Sequence, residues 1–167
     1  CGAVNLSSAG KRYYTTSGAS ISGNLVGQVT VVDSSNVTIT GDITSSYPTA
    51  NFDVTSLSTA PVLVIKANNI FINPAVHRVD AILIATQGIY TCGNLTHDLL
   101  DNQCRSSLTI NGALYANTIN FMRSIGSRYL ANVSTSSPGA GPNGSSNTDP
   151  AEVVNYPAYL NFMPLNL

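Results

Sequence analysis

The chain has 167 residues and is only 9% charged, with seven basic and eight acidic side chains for a net charge of −1. That length suits one domain with its own core. The charge balance leaves no basic stripe to neutralise nucleic-acid phosphates, and no apolar run of about 18 residues is present to cross a bilayer as a helix.

What polarity the chain has is uncharged. Its 20 Ser, 16 Thr and 18 Asn make up about a third of the residues, against one Glu (Glu152) and two Lys (Lys11 and Lys66). Helix surfaces favour Glu, Lys and Ala, whereas Thr, Val, Ile and Tyr suit a pleated surface. The composition predicts an all-β protein of extracellular character and makes an enzyme the weaker class.

At the start, Cys1-Gly2-Ala3-Val4-Asn5 lacks the basic and apolar regions of a signal peptide. The expectation is a processed product or a piece of something longer. Cys1 has no evident partner, which makes it a candidate for an intersubunit disulfide, for pairing with an upstream segment, or for lipid attachment at the head of a mature lipoprotein.

Period-two alternation then recurs along the chain: residues 20–25, 28–32, 36–44, 62–72, 81–91 and 108–122. No helical pattern competes, since Val153–Leu160 is broken by Pro157. Four segments share one shape, apolar-x-apolar, then a small residue, then apolar. They are Val37-x-Ile39-x-Gly41-x-Ile43, Leu63-x-Ile65-x-Ala67 leading to Ile70, Ile82-x-Ile84 leading to Gly88-Ile89, and Leu108-x-Ile110-x-Gly112-x-Leu114. Their spacing of about 19 to 26 residues suits one turn of a stacked repeat. The expected fold is a right-handed parallel β-helix, a solenoid with an inward row of Val, Ile and Leu. Gly and Asn would sit at its corners with positive φ, Asn68-Asn69 among them. The alternative is an antiparallel β-sandwich, whose strands alternate in the same way.

Cys92 and Cys104 bracket a polar 13-residue segment and form the natural disulfide pair, a closure worth roughly 3 kcal/mol in the chain-entropy model. Two free thiols are the alternative. No Cys-x-x-Cys spacing supports a metal site, and His97 is a lone His in a polar loop. Five N-glycosylation sequons occur, at Asn5, Asn36, Asn94, Asn132 and Asn143. Residues 133–150, rich in Ser, Gly, Pro and Asn, read as a surface loop. Residues 151–167 are apolar, aromatic and interrupted by Pro157 and Pro164, which suits an extended C-terminal strap packed on the solenoid domain of residues 1–132.

Three strings together, Asp80-Ala-Ile-Leu-Ile-Ala with Gly88-Ile-Tyr-Thr-Cys92, Cys104 with Leu108-Thr-Ile-Asn-Gly-Ala-Leu-Tyr-Ala-Asn117, and Ala151-Glu-Val-Val-Asn-Tyr-Pro157, carry a resemblance over roughly residues 60–165. The chain resembles the C-terminal β-helical module of secreted or surface-anchored proteins from candidate-phyla-radiation bacteria. It is also similar to β-solenoid proteins associated with pilus assembly. The resemblance implies a parallel β-helix, a Cys92–Cys104 bridge and a cell-surface role, and carries over no catalytic residue.

The carboxylates Asp33, Asp42, Asp53, Asp80, Asp98, Asp101, Asp149 and Glu152 are scattered, and Asp98 with Asp101 reads as a solvated loop tip. No catalytic residue, cofactor or metal ligand is expected. The expected function is a non-enzymatic structural subunit of a surface fibre or stalk, located outside the cell or on its surface. It would join head to tail through the ends of the solenoid into a homo-oligomer or filament. The alternative is an adhesin-type module whose Tyr13, Tyr14, Tyr115 and Tyr129 stack on glycans or a host surface.

Overall fold

Alternation of Val and Ile with Thr, Ser and Asn becomes extended chain because β-branched side chains fit a pleated, half-buried surface better than a helical turn. The computed structural model describes residues 4–7, 9–45, 60–93, 104, 106–123, 151–157 and 160. Eleven strands form one sheet: β1 (Lys11–Thr15), β2 (Ala19–Leu25), β3 (Gln28–Asp33), β4 (Asn36–Ser45), β5 (Val62–Ile72), β6 (Arg78–Val79), β7 (Ile82–Tyr90), β8 (Leu108–Asn111), β9 (Ala113–Tyr115), β10 (Thr118–Asn120) and β11 (Glu152–Asn155). No helix occurs among the described residues.

Every pairing among the described residues is parallel. That excludes the antiparallel sandwich, whose hairpins pair neighbouring strands in opposite directions. The registers sort into three ladders. The first stacks β1, β3, the front of β5, the front of β7 and β9. The second stacks the front of β2, the front of β4, the back of β5, the back of β7 and β10. The third stacks the back of β2, the back of β4, β6, β8 and β11. The chain visits the ladders in the same order five times, giving five rungs.

Side chains that match in register build the core. On the first ladder Tyr13, Val31, Ile65, Leu83 and Leu114 form one column, and on the second Val37, Ile70, Ile89 and Ile119 form another. In the middle rungs these residues are fully buried, as are Ile43, Val79 and Ile110 of the third ladder. Each fully buried Ile or Leu contributes roughly 1.5–3 kcal/mol of burial free energy. A second, outward cluster joins Val62, Val64, Ile82 and Ala113 to Ala60 and Leu160. The run Val62-Leu63-Val64-Ile65 is therefore continuously apolar because it is buried on both faces.

Several expectations change in detail. Asn68 and Asn69 do mark a corner, where the pairing of β5 with β7 shifts register, but neither has positive φ. Among the described residues positive φ is confined to Gly10, Gly18, Gly23 and Gly93. On β7 the inward side chains are Leu83 and Ala85, one residue out of step with the expected Ile82 and Ile84. Part of the segment expected as a strap is itself a strand, β11, in register with β8. Gly112 sits where the chain crosses Ala81, and a Cβ there would fall 1.8 Å from the Ala81 carbonyl oxygen.

Candidate functional site

The corner between the second and third ladders holds the densest polar cluster. Here the chain leaves the sheet after β7 and returns at β8, then leaves after β10 and returns at β11. Cys92 and Cys104 sit at the root of the first excursion, are fully buried and are joined by a disulfide with Cα atoms 5.7 Å apart. Beside them Arg123, 5% exposed, spreads its guanidinium over backbone carbonyls of two rungs. It donates to Thr91 O at 2.7 Å, Asn73 O at 2.8 Å, Pro74 O at 3.0 Å and the Ser106 Oγ at 2.7 Å. Excursions of this kind strand carbonyls that the ladders cannot reach, and the five-donor fork of Arg satisfies several at once.

Glu152, at the start of β11, closes the cluster. Its Oε1 accepts the Thr91 hydroxyl in a short hydrogen bond and the Arg123 backbone N–H at 3.1 Å. Thr91 Oγ in turn accepts the Met122 N–H at 2.8 Å. Burial pulls the Arg123 guanidinium down to about 10, opposed by the charge of Glu152. Burial likewise pushes the Glu152 carboxyl above its usual range, against the pull of Thr91 and Arg123.

A second hub is Asp80, between the third and first ladders. Its carboxylate accepts two bonds from Arg78 at 2.8 Å, the Ser45 N–H at 2.7 Å and the Asn111 amide at 2.7 Å. Burial raises its carboxyl, but these donors outweigh burial and hold it below the usual carboxylate value. Asp33 accepts the Ser35 N–H and the Thr15 hydroxyl, and Asp42 accepts the His77 and Arg78 N–H groups. All four described carboxylates thus accept a backbone N–H, and no three His, Cys, Asp or Glu side chains converge among the described residues. Such carboxylates pin the connections between strands, and Asp80 with Asn111 also lines a small pocket beside Pro61, Val62 and Leu160.

Of the residues singled out in the sequence, Asn5 and Asn36 are both exposed. Asn5 Oδ1 accepts the Ser7 N–H at 2.9 Å, and Asn36 Oδ1 accepts the Asn69 amide at 3.0 Å. Cys1, Asn94, His97, Asp98, Asp101, Tyr129, Asn132 and Asn143 lie outside the described residues. The tyrosines do not form one platform. Tyr13 points into the stack and donates to Asn5 O at 3.0 Å. Tyr14 and Tyr115 stand at opposite ends of one outward column, four rungs or about 19 Å apart.

Sequence reasoning missed Arg123 and the structural part of Glu152. The available signal was chemical: the chain's single Glu, and a lone Arg directly after an alternating segment. It also missed that both ends of the stack carry apolar surface. Tyr14 and Val26 belong to the first rung and its exit, and Tyr115, Ile119, Phe121, Val154 and Tyr156 to the fifth; together they are every large exposed apolar side chain among the described residues.

No protein-family model matches the chain, and no curated protein or solved structure is significantly similar to it. No helix among the described residues is long and apolar enough to cross a membrane.

Proposed function

We propose that the five rungs wind as a right-handed parallel β-helix and that the molecule is a non-enzymatic structural module of a surface fibre or stalk, joined end to end. A parallel crossover between strands of one sheet is right-handed in nearly all known cases. The observation that carries the reading is where the exposed apolar side chains fall. Among the described residues the middle three rungs have none, while the fifth has Ile119 at 36% and Val154 at 43% exposure on columns that are fully buried one rung earlier. The core therefore continues to the end of the stack and stops there without a lid among the described residues. The edges of β9, β10 and β11 beyond it have no strand partner among the described residues, and unpaired edges of this kind template further pairing.

The other end differs. Val4 and Leu6 are buried over the first rung, Leu6 O accepts the Val26 N–H, and Val26 and Tyr14 remain exposed. Contact between unlike ends repeats without closing and gives a filament. A buried disulfide and the absence of a membrane-crossing helix among the described residues are compatible with a location outside the cell or on its surface. Each described carboxylate accepts a backbone N–H, which favours a structural part over a catalytic one.

Sedimentation of the full chain, with two variants, tests this reading. Val154→Asp alters only the fifth rung and Val26→Asp only the first. Wild type should associate with concentration, each variant alone should stay monomeric, and an equimolar mixture should stop at a one-to-one pair. A wild type that stays monomeric at every concentration ends the proposal. Association that survives Val26→Asp ends its head-to-tail form.

A further inference from the structure

A second surface runs along the stack, on the outer face of the second ladder, and it is independent of how the ends join. Two outward columns lie side by side there. One holds Asn36, Asn69, Gly88 and Thr118, and the other holds Ser20, Thr38, Phe71, Tyr90 and Asn120. Tyr90 does not stand off the sheet. Its ring lies across Gly88, so that a Cβ on Gly88 would fall 2.7 Å from the Tyr90 Cε2. The same ring stacks on Phe71 with centroids 5.2 Å apart and planes inclined by 26°. The result is a stacked, half-buried aromatic pair spanning two rungs.

A row of amides borders that aromatic pair. Asn69 donates its amide to Asn36 Oδ1 and to Gln87 Oε1, both at 3.0 Å. Accepting through oxygen turns the Asn36 and Gln87 groups so that their NH₂ ends are the donors left to meet other partners. Asn36 and Gln87 are exposed, and Asn69 is half-buried. None of the residues in either column is charged.

We propose that this face, centred on Tyr90 and Phe71 with Asn36, Asn69 and Gln87 beside them, binds neutral polysaccharide. A pyranose ring presents weakly positive C–H groups on its flat side, which suit the negative face of an aromatic ring. Its hydroxyls at the rim both donate and accept, which suits amides better than ammonium or carboxylate groups. An anionic glycan meets no cation on this face. A folded protein partner would require an apolar centre wider than two half-buried rings. Among the described residues the face is an open strip with no enclosing wall, so an extended chain is the fitting occupant.

Affinity electrophoresis of the full chain in native gels tests the assignment, with xyloglucan, mixed-linkage β-glucan and galactomannan as neutral probes and polygalacturonate as the anionic one. Retardation by at least one neutral polymer is expected. Tyr90→Ala should weaken it at least tenfold and Gln87→Ala severalfold, while Tyr14→Ala and Tyr115→Ala leave it unchanged. Gln87 is exposed on the surface, so its variant carries the test even if loss of the Tyr90 ring disturbs folding. Retardation by none of the neutral polymers, by polygalacturonate alone, or undiminished in both Tyr90→Ala and Gln87→Ala overturns the proposal. Because Tyr90, Phe71, Asn36, Asn69 and Gln87 lie outside the apolar surface of the end rungs, failure here leaves end-to-end joining standing.

Discussion

Between the first and second ladders the chain turns on uncharged amides, whereas between the second and third it turns on a buried arginine and a disulfide. At the first corner Asn68 accepts from Thr86 at 2.6 Å, Asn69 bridges Asn36 and Gln87, and Asn117 donates to Thr86 O at 2.8 Å. All are exposed or half-buried. At the second corner Arg123 is 5% exposed and Cys92 and Cys104 are fully buried. The difference follows from the connections. Two or three residues suffice at the first corner in every rung, so backbone groups there stay near the ladders or near water. At the second corner the chain departs twice for long excursions, and the carbonyls at their roots lose both ladder partners and solvent. A permanently charged fork satisfies what short amides cannot reach.

The largest expected effect comes from breaking the second corner. Arg123→Met removes the donors to Asn73, Pro74, Thr91 and Ser106 and leaves Glu152 without its nearby cation. Taking one partner from a buried charged cluster costs about 3–5 kcal/mol. Chemical denaturation should show that loss, and Arg123→Lys should recover only a part, because an ammonium cannot fork across four acceptors. A loss below about 1 kcal/mol would mean that water replaces the guanidinium, as it replaces surface partners, and the two corners would then be alike.

How far the sequence spelled this out differs between the corners. Alternation exposed the strands and the inward residues of β4 and β5, because period two survives in any register. The stacking period was harder to read. Val29 lies 18 residues after its partner Lys11, and Ile82 lies 18 after Val64, but Leu63 lies 34 after Val29 and Ala113 lies 31 after Ile82. Excursions inside the later turns dilute the repeat. The four matching strings are consequently not equivalent positions. Val37 and Ile39 belong to the second ladder, Leu63 and Ile65 to the first, and Leu108 and Ile110 to the third. They look alike because each is a strand running into a corner. Beyond its place directly after an alternating segment, Arg123 gave no sign of its partners, since its acceptors are backbone carbonyls up to 50 residues away, and carbonyls carry no sequence signature.

A smaller effect separates the charges at the second corner. The Glu152 carboxyl is raised by burial despite Arg123, so its contribution to stability is complete below its unfolded value of about 4.3 and is lost as pH rises through the folded value. Glu152→Gln keeps an oxygen for Thr91 and for the Arg123 N–H without the charge. Its stability relative to wild type should therefore rise between pH 4 and pH 7. Partial solvent access keeps the gain below about 1 kcal/mol. Asp80, held low by Arg78, Asn111 and Ser45, has the opposite sign: its contribution is present above the unfolded value and is lost as pH falls through the folded one. A flat difference between Glu152→Gln and wild type would mean that Arg123 compensates the carboxylate in full.

The smallest effect should come from the amide corner. Asn69→Ala deletes a donor that serves two carbonyls, but the Asn36 and Gln87 side chains are exposed and regain water on losing it. A net cost of about 0.5 kcal/mol is expected, since exchanging a surface hydrogen bond for solvent nearly balances. No titrating group lies in this row, so the cost should be the same at pH 4 and at pH 7. The number of hydrogen bonds lost is of the same order as in Arg123→Met, but the Asn69 donor is neutral and half-buried whereas the guanidinium is charged and buried. A loss comparable to that of Arg123→Met would therefore make the amide row a structural spine of the stack. Its uncharged, outward groups would then be explained by folding alone, without a ligand.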